Sequence, residues 1–562
     1  MTATASSIPP LRKQVALKHQ EPFVLDPNLI SSYYVLYQLL KSRKVEQLEL
    51  LALVPPRIQA WPLRVRHEGQ VKLQSPVGEI QAEQYSVQAG DLHVELYAEK
   101  GQLIGVRSDS GQLAYRSDRL PQGFQVAQVP QKSEESPPTG MREIEVQFES
   151  AGLKLAGTLA LPQGHQKPVP AVLFIAGSGP VDRNENAPGF KTDIFKQIAW
   201  RLAEQGIASL RYDKRGVGKS EGIFKNASMN DLVADARAAL GFLKHRPEID
   251  PDLVYVLGHS EGGILGPILA TEELLAGLII LAGPARPLDQ VILWQLEGRL
   301  RSLGAKGAAL QKKLDEQRQF FKFVKQSHGE WGDYTFKEAK RFMPWLKDEA
   351  QWQSLQSFAL SWFRQHFKHD PLATIRKVHV PVLIIQGEKD IQVPPQDAKV
   401  LAKALKGAGN ANVTVRLLPD LNHLMRHQPE DAYSGLSHLD KPVDGRVLQA
   451  IGEWLKEQLL VGKAVAFVRL LRQGKFDQAY ERFDQQMQSV MPIEKLRSAW
   501  ETILAQVGEF RVIRSTKLTL EGGFYSVYVT CQFAQAPLNV KVVFGKDEKD
   551  EPVMGLWFQP VK

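Results

Sequence analysis

The feature that most constrains this 562-residue chain is the stretch Val254 to Ile264. An apolar, β-branched run meets Gly258-His259-Ser260-Glu261-Gly262, and a second apolar run, Ile264 to Ala270, follows at once. The order reads as strand, abrupt turn, helix. A G-x-S-x-G placed there has the layout of a nucleophile elbow, with the serine on a strained turn and glycines at 258 and 262 where side chains would clash. The five-residue pattern alone has only three fixed positions and recurs by chance in long chains. Its strand and helix flanks are what distinguish this copy.

The surrounding chain reads as an α/β unit. Ala171 to Ile175 is continuously apolar, as a strand buried on both faces should be. Helix Phe195 to Gln205, strand Ala208 to Tyr212, helix Asp231 to Leu243, strand Leu253 to Leu257, and strands Gly277 to Leu281 and Val382 to Ile385 continue the series. Such alternation predicts right-handed βαβ units in a doubly wound, mostly parallel sheet, with its active site at the carboxyl ends of the strands. Glu143 to Phe148 and Leu153 to Leu159 alternate as an antiparallel lead-in pair. Residues 284–377 interrupt the series with helical, Lys-rich sequence interleaved with Phe320, Phe323, Trp331, Phe342 and Trp345, a cap insertion whose aromatics pack it onto the core or line an acyl pocket.

Length favours several units. The expected division is a small β-rich domain at 1–126, a polar, proline-rich linker at 127–140, an α/β catalytic domain at 141–460 and a C-terminal α+β domain at 461–562. Residues 1–20 read as disordered. In the first domain a helix is expected near Ile30 to Ser42, then short alternating runs separated by glycines at hairpin spacing.

Within the α/β unit an acid and a histidine follow the serine. Asp390 lies in the turn after strand Pro381 to Gln386, ahead of Glu388 and Asp397 as the acid. His423 lies in the loop after strand Val413 to Leu418, ahead of His427 as the base, with Asn422 supporting the loop. His259 is expected to pack beside its strand. A serine hydroxyl needs such a base, oriented by such a carboxylate, to act as a nucleophile. Backbone donors for an oxyanion are expected from Glu261 and from the loop Ala176 to Pro180, with Ser178 preferred and Gly177 in reserve. Gly218-Lys219-Ser220 imitates the end of a phosphate-binding loop, but Asp213 stands where its first glycine would be. Asp213 and Arg215 are expected instead to brace the loop that follows their strand. His366, His369 and Asp370 lack a further convergent ligand and read as polar helix-end residues, so no metal or cofactor is expected.

These motifs together, Gly177 to Pro180 with Asp182 to Asn184, Arg211 to Ser220, Gly258 to Gly263, Gly387 to Asp390 and Asn422-His423, resemble the α/β-hydrolase superfamily over residues 141–460. Within it they are similar to bacterial esterases and serine-aminopeptidase-like hydrolases. The resemblance implies Ser260, Asp390 and His423 as a triad cleaving a small-molecule ester, amide or thioester. One departure is Ala176, where many members carry histidine before the oxyanion glycine. The last hundred residues resemble, more weakly, an NTF2-like domain of unknown function.

Composition narrows the partners. A net charge of +8, from 70 basic and 62 acidic residues spread through the chain, gives no basic block for nucleic acid. The single cysteine, Cys531, excludes an internal disulfide and reads as a buried structural thiol. With no apolar run of signal-peptide or membrane-spanning length, a cytoplasmic location is expected, the alternative being a secreted form whose leader has been removed.

Overall fold

The computed structural model describes residues 22–24, 36–38, 40–41, 47–54, 59–75, 78–89, 92–108, 113–115, 125–126, 137–164, 168–186, 191–302, 304–356, 358–428, 441–545 and 552–561. The expected disordered start, most of the linker and much of the helix near Ile30 to Ser42 lie outside them. Two compact units emerge, one N-terminal and one built from residue 137 onward.

In the N-terminal unit, Gln47–Val54, Gln59–Ser75, Gly78–Ala89, Leu92–Glu99, Gln102–Ser108 and Leu113–Tyr115 pair in sequence order as an antiparallel meander. Leu63, Val65, Val87, Val94 and Leu96 alternate onto one buried face, where Leu36, Tyr37 and Leu40 pack.

In the second unit the eight strands are β1 (Met141–Ser150), β2 (Leu153–Pro162), β3 (Val169–Ile175), β4 (Ala208–Tyr212), β5 (Ile249–His259), β6 (Gly277–Leu281), β7 (Val382–Gly387) and β8 (Val413–Leu418). Their spatial order is β8-β7-β6-β5-β3-β4-β2-β1. Pairs from β4 through β3 to β8 are parallel, and the β1 and β2 pairings are antiparallel. The order reverses at β3, and β5 lies next to it. Both strands are covered on both faces, which explains their unbroken apolar sequence: Val254 and Val256 enter one core, Tyr255 and Leu257 the other.

Helices α1 (Ile194–Glu204), α2 (Met229–Lys244) and α3 (Gly262–Glu272) follow β3, β4 and β5. A capping box at Ser228 and Asp231 starts α2. Between β6 and β7 the chain leaves the sheet for α4 (Leu288–Ser302), α5 (Gly307–Gln326), α6 (Phe336–Phe342), α7 (Glu349–Ser354), α8 (Leu360–Lys368) and α9 (Pro371–Ile375). Its aromatics knit these helices together: Phe323 packs on Trp331, Tyr334, Phe342 and Trp352, and Phe358 stacks on Trp362 at 4.1 Å.

After α10 (Asp397–Gly407) and β8, the helix α11 (Gly445–Arg472) departs from the expected organisation. The expected boundary at 460 falls inside it. Val447, Ile451, Trp454 and Leu455 belong to the core of the large sheet, while Leu460, Ala464, Phe467, Val468 and Leu471 belong to the next core. Val447, Ile451 and Leu455 lie on one side of the helix and Phe467, Val468 and Leu471 on another, so the helix runs unbroken while the core it serves changes between Leu455 and Leu460. Helices α12 (Phe476–Tyr480), α13 (Gln485–Val490) and α14 (Ile493–Val507) follow. Strands β9 (Phe510–Glu521), β10 (Phe524–Phe533), β11 (Pro537–Gly545) and β12 (Val553–Pro560) then form a sequential antiparallel sheet. Cys531 is buried in it, and burial pushes its thiol up to about 12, so it is inert at neutral pH.

Candidate active site

Ser260 stands between β5 and α3 with φ of 54°, in the left-handed region that costs a non-glycine residue energy. The flanking glycines are dictated by contact. A Cβ on Gly258 would lie 2.0 Å from the Gly262 carbonyl oxygen, and one on Gly262 would lie 2.0 Å from the Ile175 carbonyl oxygen. Two bonds hold the turn: Ser260 N–H donates to the Leu281 carbonyl at 2.9 Å, and Gly263 N–H donates to the Ser260 carbonyl at 2.9 Å.

Asp390 and His423 meet at the carboxyl ends of β7 and β8. His423 Nδ1 donates to Asp390 Oδ2 at 2.8 Å, which leaves Nε2 as the acceptor. Asp390 is completely engaged: Oδ2 also accepts from Gln386 Nε2 at 2.8 Å, and Oδ1 accepts the N–H groups of Gln392 at 2.7 Å and Val393 at 2.9 Å. The loop carrying His423 is tied by Asn422, whose Oδ1 accepts from Leu424 and Arg426 N–H and whose Nδ2 donates to Gln428. Lys389 N–H donates to the Leu421 carbonyl at 2.9 Å and docks the acid's turn against the base's loop. Among the described residues the Ser260 hydroxyl makes no hydrogen bond to His423.

The rival residues have other positions. Glu388 and His427 are exposed. Asp397 is fully buried and binds the start of the helical insertion, accepting from Ala285 N–H at 2.9 Å and pairing with Arg286.

His259 does more than pack. Its Nδ1 donates to Glu185 Oε1 at 2.8 Å and its Nε2 to the His423 carbonyl at 3.0 Å, while its ring packs against that of His423 at a 45° tilt with centroids 4.8 Å apart. Both nitrogens face acceptors, an arrangement that favours the protonated ring. Burial disfavours that charge, but Glu185 and the carbonyl outweigh it and raise the His259 pKa.

The loop after β3 corrects one expectation. Gly177 N–H donates to Glu185 Oε1 at 2.7 Å, so it is committed to a carboxylate and is not a free oxyanion donor. The N–H groups of Ser178 and Glu261 have no protein acceptor among the described residues.

A buried ion cluster surrounds Glu261. Lys214 Nζ donates to Glu261 Oε2 at 2.8 Å and also to the Gly177 carbonyl. From α8, Trp362 Nε1 donates to Glu261 Oε1 at 2.7 Å, and His366 Nε2 lies 3.1 Å from the same oxygen, an ion-pair contact off the hydrogen-bond line. Burial would raise the Glu261 carboxyl, but Lys214 and His366 hold it down at about 2. His366 lies in the last turn of α8 and is in addition a buried partner of Glu261; His369 follows that helix as its C-cap, and Asp370 caps the start of α9 by accepting Leu372 N–H.

Asp213 and Arg215 brace their loop as expected. Arg183 Nε and Nη2 grip both Asp213 oxygens at 3.0 and 2.7 Å, and Arg215 grips Asp235 through two bonds of 2.7 Å. Burial works against the Asp213 carboxylate, yet Arg183 and the Lys219 N–H keep its pKa below the usual range. Ser220 Oγ is spent on the Asp213 carbonyl and Ala156 N–H. Among the described residues no group of three or more His, Cys, Asp or Glu is placed to hold a metal ion, and no helix is long and apolar enough to cross a membrane.

Sequence reasoning assigned no role to Glu185, Lys214 or Trp362. For the first two a signal was present, since charged residues just beyond the carboxyl ends of buried strands lie where a doubly wound sheet places its site. Trp362 was one aromatic among many.

A family model described as "Serine aminopeptidase, S33" matches residues 190–430. The strand order, the elbow and this match agree. This unit has the α/β-hydrolase fold. This unit is similar to Esterase EstD of Thermotoga maritima, 30% identical over 306 residues that span 54% of this chain and 65% of the relative. It is also similar to the uncharacterized protein YfhR of Salmonella typhi, 33% identical over 66 residues, 12% of this chain and 21% of the relative. The chain thus spans less than two thirds of the length of these relatives. Among solved structures, Est1E from Butyrivibrio proteoclasticus with ferulic acid bound aligns at a TM-score of 0.37 and 20% identity, over 56% of this chain and 99% of that one. Residues 464–551 match a family described as "Protein of unknown function (DUF3887)".

Proposed function

We propose that the protein is a serine hydrolase of carboxylic esters with small to medium acyl groups. The observation that carries the reading is the left-handed Ser260 on its elbow, at the same sheet rim as a His423 whose Nδ1–H is held by Asp390 at 2.8 Å. His423 Nε2 takes the Ser260 proton as Oγ attacks the ester carbonyl. The tetrahedral oxyanion accepts the N–H groups of Glu261 and Ser178, and His423 returns the proton to the departing alcohol. Water, deprotonated by the same imidazole, then releases the acid from the acyl-enzyme. The Ser260–His423 hydrogen bond forms when substrate enters and excludes water, as in many enzymes whose catalytic contacts are loose without substrate. The insertion 284–377 acts as a cap that limits acyl length, and the C-terminal sheet with its helices is read as an NTF2-like cone with no chemistry of its own.

The esterase name of the Thermotoga relative supports ester chemistry. The family description at 190–430 favours a second reading, an aminopeptidase using the same residues. A panel of p-nitrophenyl esters of increasing chain length, a thioester and aminoacyl p-nitroanilides separates them, run alongside fluorophosphonate labelling. Wild-type protein should be labelled at Ser260 and turn over short esters fastest; Ser260→Ala should retain its circular dichroism and lose both, with kcat down by about 10⁴-fold or more. An unlabelled wild type would instead indicate a non-catalytic binding or scaffold protein.

A further inference from the structure

Two peptide groups can serve the oxyanion, and one buried ammonium touches the neighbourhood of both. Lys214, just beyond β4, is 4% exposed at its side chain, and its Nζ reaches in two directions. One contact is the carboxylate of Glu261, the residue whose own N–H follows the nucleophile. The other is the carbonyl of Gly177. That carbonyl belongs to the same planar peptide as Ser178 N–H, and in a trans peptide the two point in opposite directions. Holding the oxygen therefore aims the N–H. A cation on the carbonyl also polarises the peptide and strengthens the hydrogen its nitrogen can donate. The peptide is close to the reaction centre, since a Cβ on Gly177 would stand 3.2 Å from Ser260 Cβ. From the other side Glu185 fixes Gly177 N–H at 2.7 Å, so the residue before the donor is gripped by an anion and a cation at once.

We propose that Lys214 is the positioning residue of the oxyanion hole, a clamp that sets the direction and donor strength of Ser178 N–H and its separation from Glu261 N–H. This rests on the serine-hydrolase reading above. Lys214 touches no substrate atom in this scheme, so its effect belongs to the transition state, where oxygen charge develops, and not to ground-state binding.

The test compares full-length wild type with Lys214→Met, using p-nitrophenyl butyrate and its thiono counterpart. Thiocarbonyl sulfur is a poor hydrogen-bond acceptor, so turnover of the thionoester draws little on the hole. Lys214→Met should lower kcat on the oxygen ester by about 10- to 100-fold, a fraction of what losing a whole donor costs. KM should change by less than about threefold, and the oxygen-to-thiono rate ratio should fall with kcat. A kcat within about twofold of wild type, or equal losses on both esters, overturns the clamp. Should Lys214→Met lack a cooperative melt, Lys214→Arg is read by the same ratio: it keeps the charge on a wider head, and a reduced ratio supports the clamp while an unchanged one overturns it. A wild type without turnover or fluorophosphonate labelling removes the hydrolase reading and the clamp with it. An active wild type with parallel losses removes the clamp alone.

Discussion

At the scale of single residues, the site is held by charges that burial would ordinarily neutralise. Glu261 is the clearest case, ionised down to about 2 against an ordinary value of 4.5 because Lys214 and His366 face it. Its folded pKa is depressed, so the stability it contributes is complete above pH 4.5 and is lost as pH falls toward 2. That difference corresponds to on the order of 3 kcal/mol. Glu261→Gln should be less stable than wild type at pH 6 and should show a flatter loss between pH 4.5 and 2, measured by urea unfolding. Parallel decline of the two proteins through that window would show that the carboxylate's partners do not stabilise the fold.

At the scale of elements, polar contacts at both ends of the helical insertion tie it to the sheet. Asp397 on α10 holds Ala285 and Arg286 where the insertion begins. Near its end, α8 delivers Trp362 to Glu261. Trp362→Phe keeps most of the ring and its stack on Phe358 but loses the indole N–H. Because the acceptor is a buried carboxylate, the loss should cost about 1.5–3 kcal/mol, visible as a lower urea midpoint with an unchanged slope. An unchanged midpoint would mean the aromatic packing alone carries that tie. Within the insertion the aromatics pack on one another, as the ring contacts of Phe323 show.

At the scale of the whole molecule, α11 runs as one continuous helix from the core of the eight-stranded sheet into that of the C-terminal sheet, so the two are expected to unfold together. Its 28 residues place Ile451 and Trp454 in one core and Phe467 and Leu471 in the next. A further tie is Asn412 Nδ2, which donates to Thr516 Oγ1 at 2.8 Å. Thermal unfolding followed by loss of ester turnover, and by near-ultraviolet signal from the C-terminal Trp500 and Trp557, should give coincident midpoints. Midpoints separated by more than about 5 °C would show two independent folding units, a shift worth about 1 kcal/mol or more in a domain of this size.

Much of this was legible from residue order. Continuous apolar runs at β3, β5, β6 and β7 mark strands covered on both faces, and their alternation with amphipathic helices leaves few topologies. Gly258 and Gly262 around Ser260 announce a turn too tight for side chains. That Asp390 and His423 would meet was legible because each follows a buried strand at the same rim of the sheet. Those are local signals, carried by neighbours in the chain.

Tertiary structure alone decided what depends on distant groups. Gly177 looked like a free donor until Glu185, eight residues on, was found occupying its N–H. Only the folded chain sets His366, in the last turn of its helix, against Glu261, and only the structure shows one helix running unbroken through 460 while its buried side turns from one core to the next. Periodicity and motif spacing report which way a side chain faces within its own element. They carry no record of which charge from another strand will be waiting there, and in a water-free interior that charge determines whether a group is a donor, a strut or an inert filler.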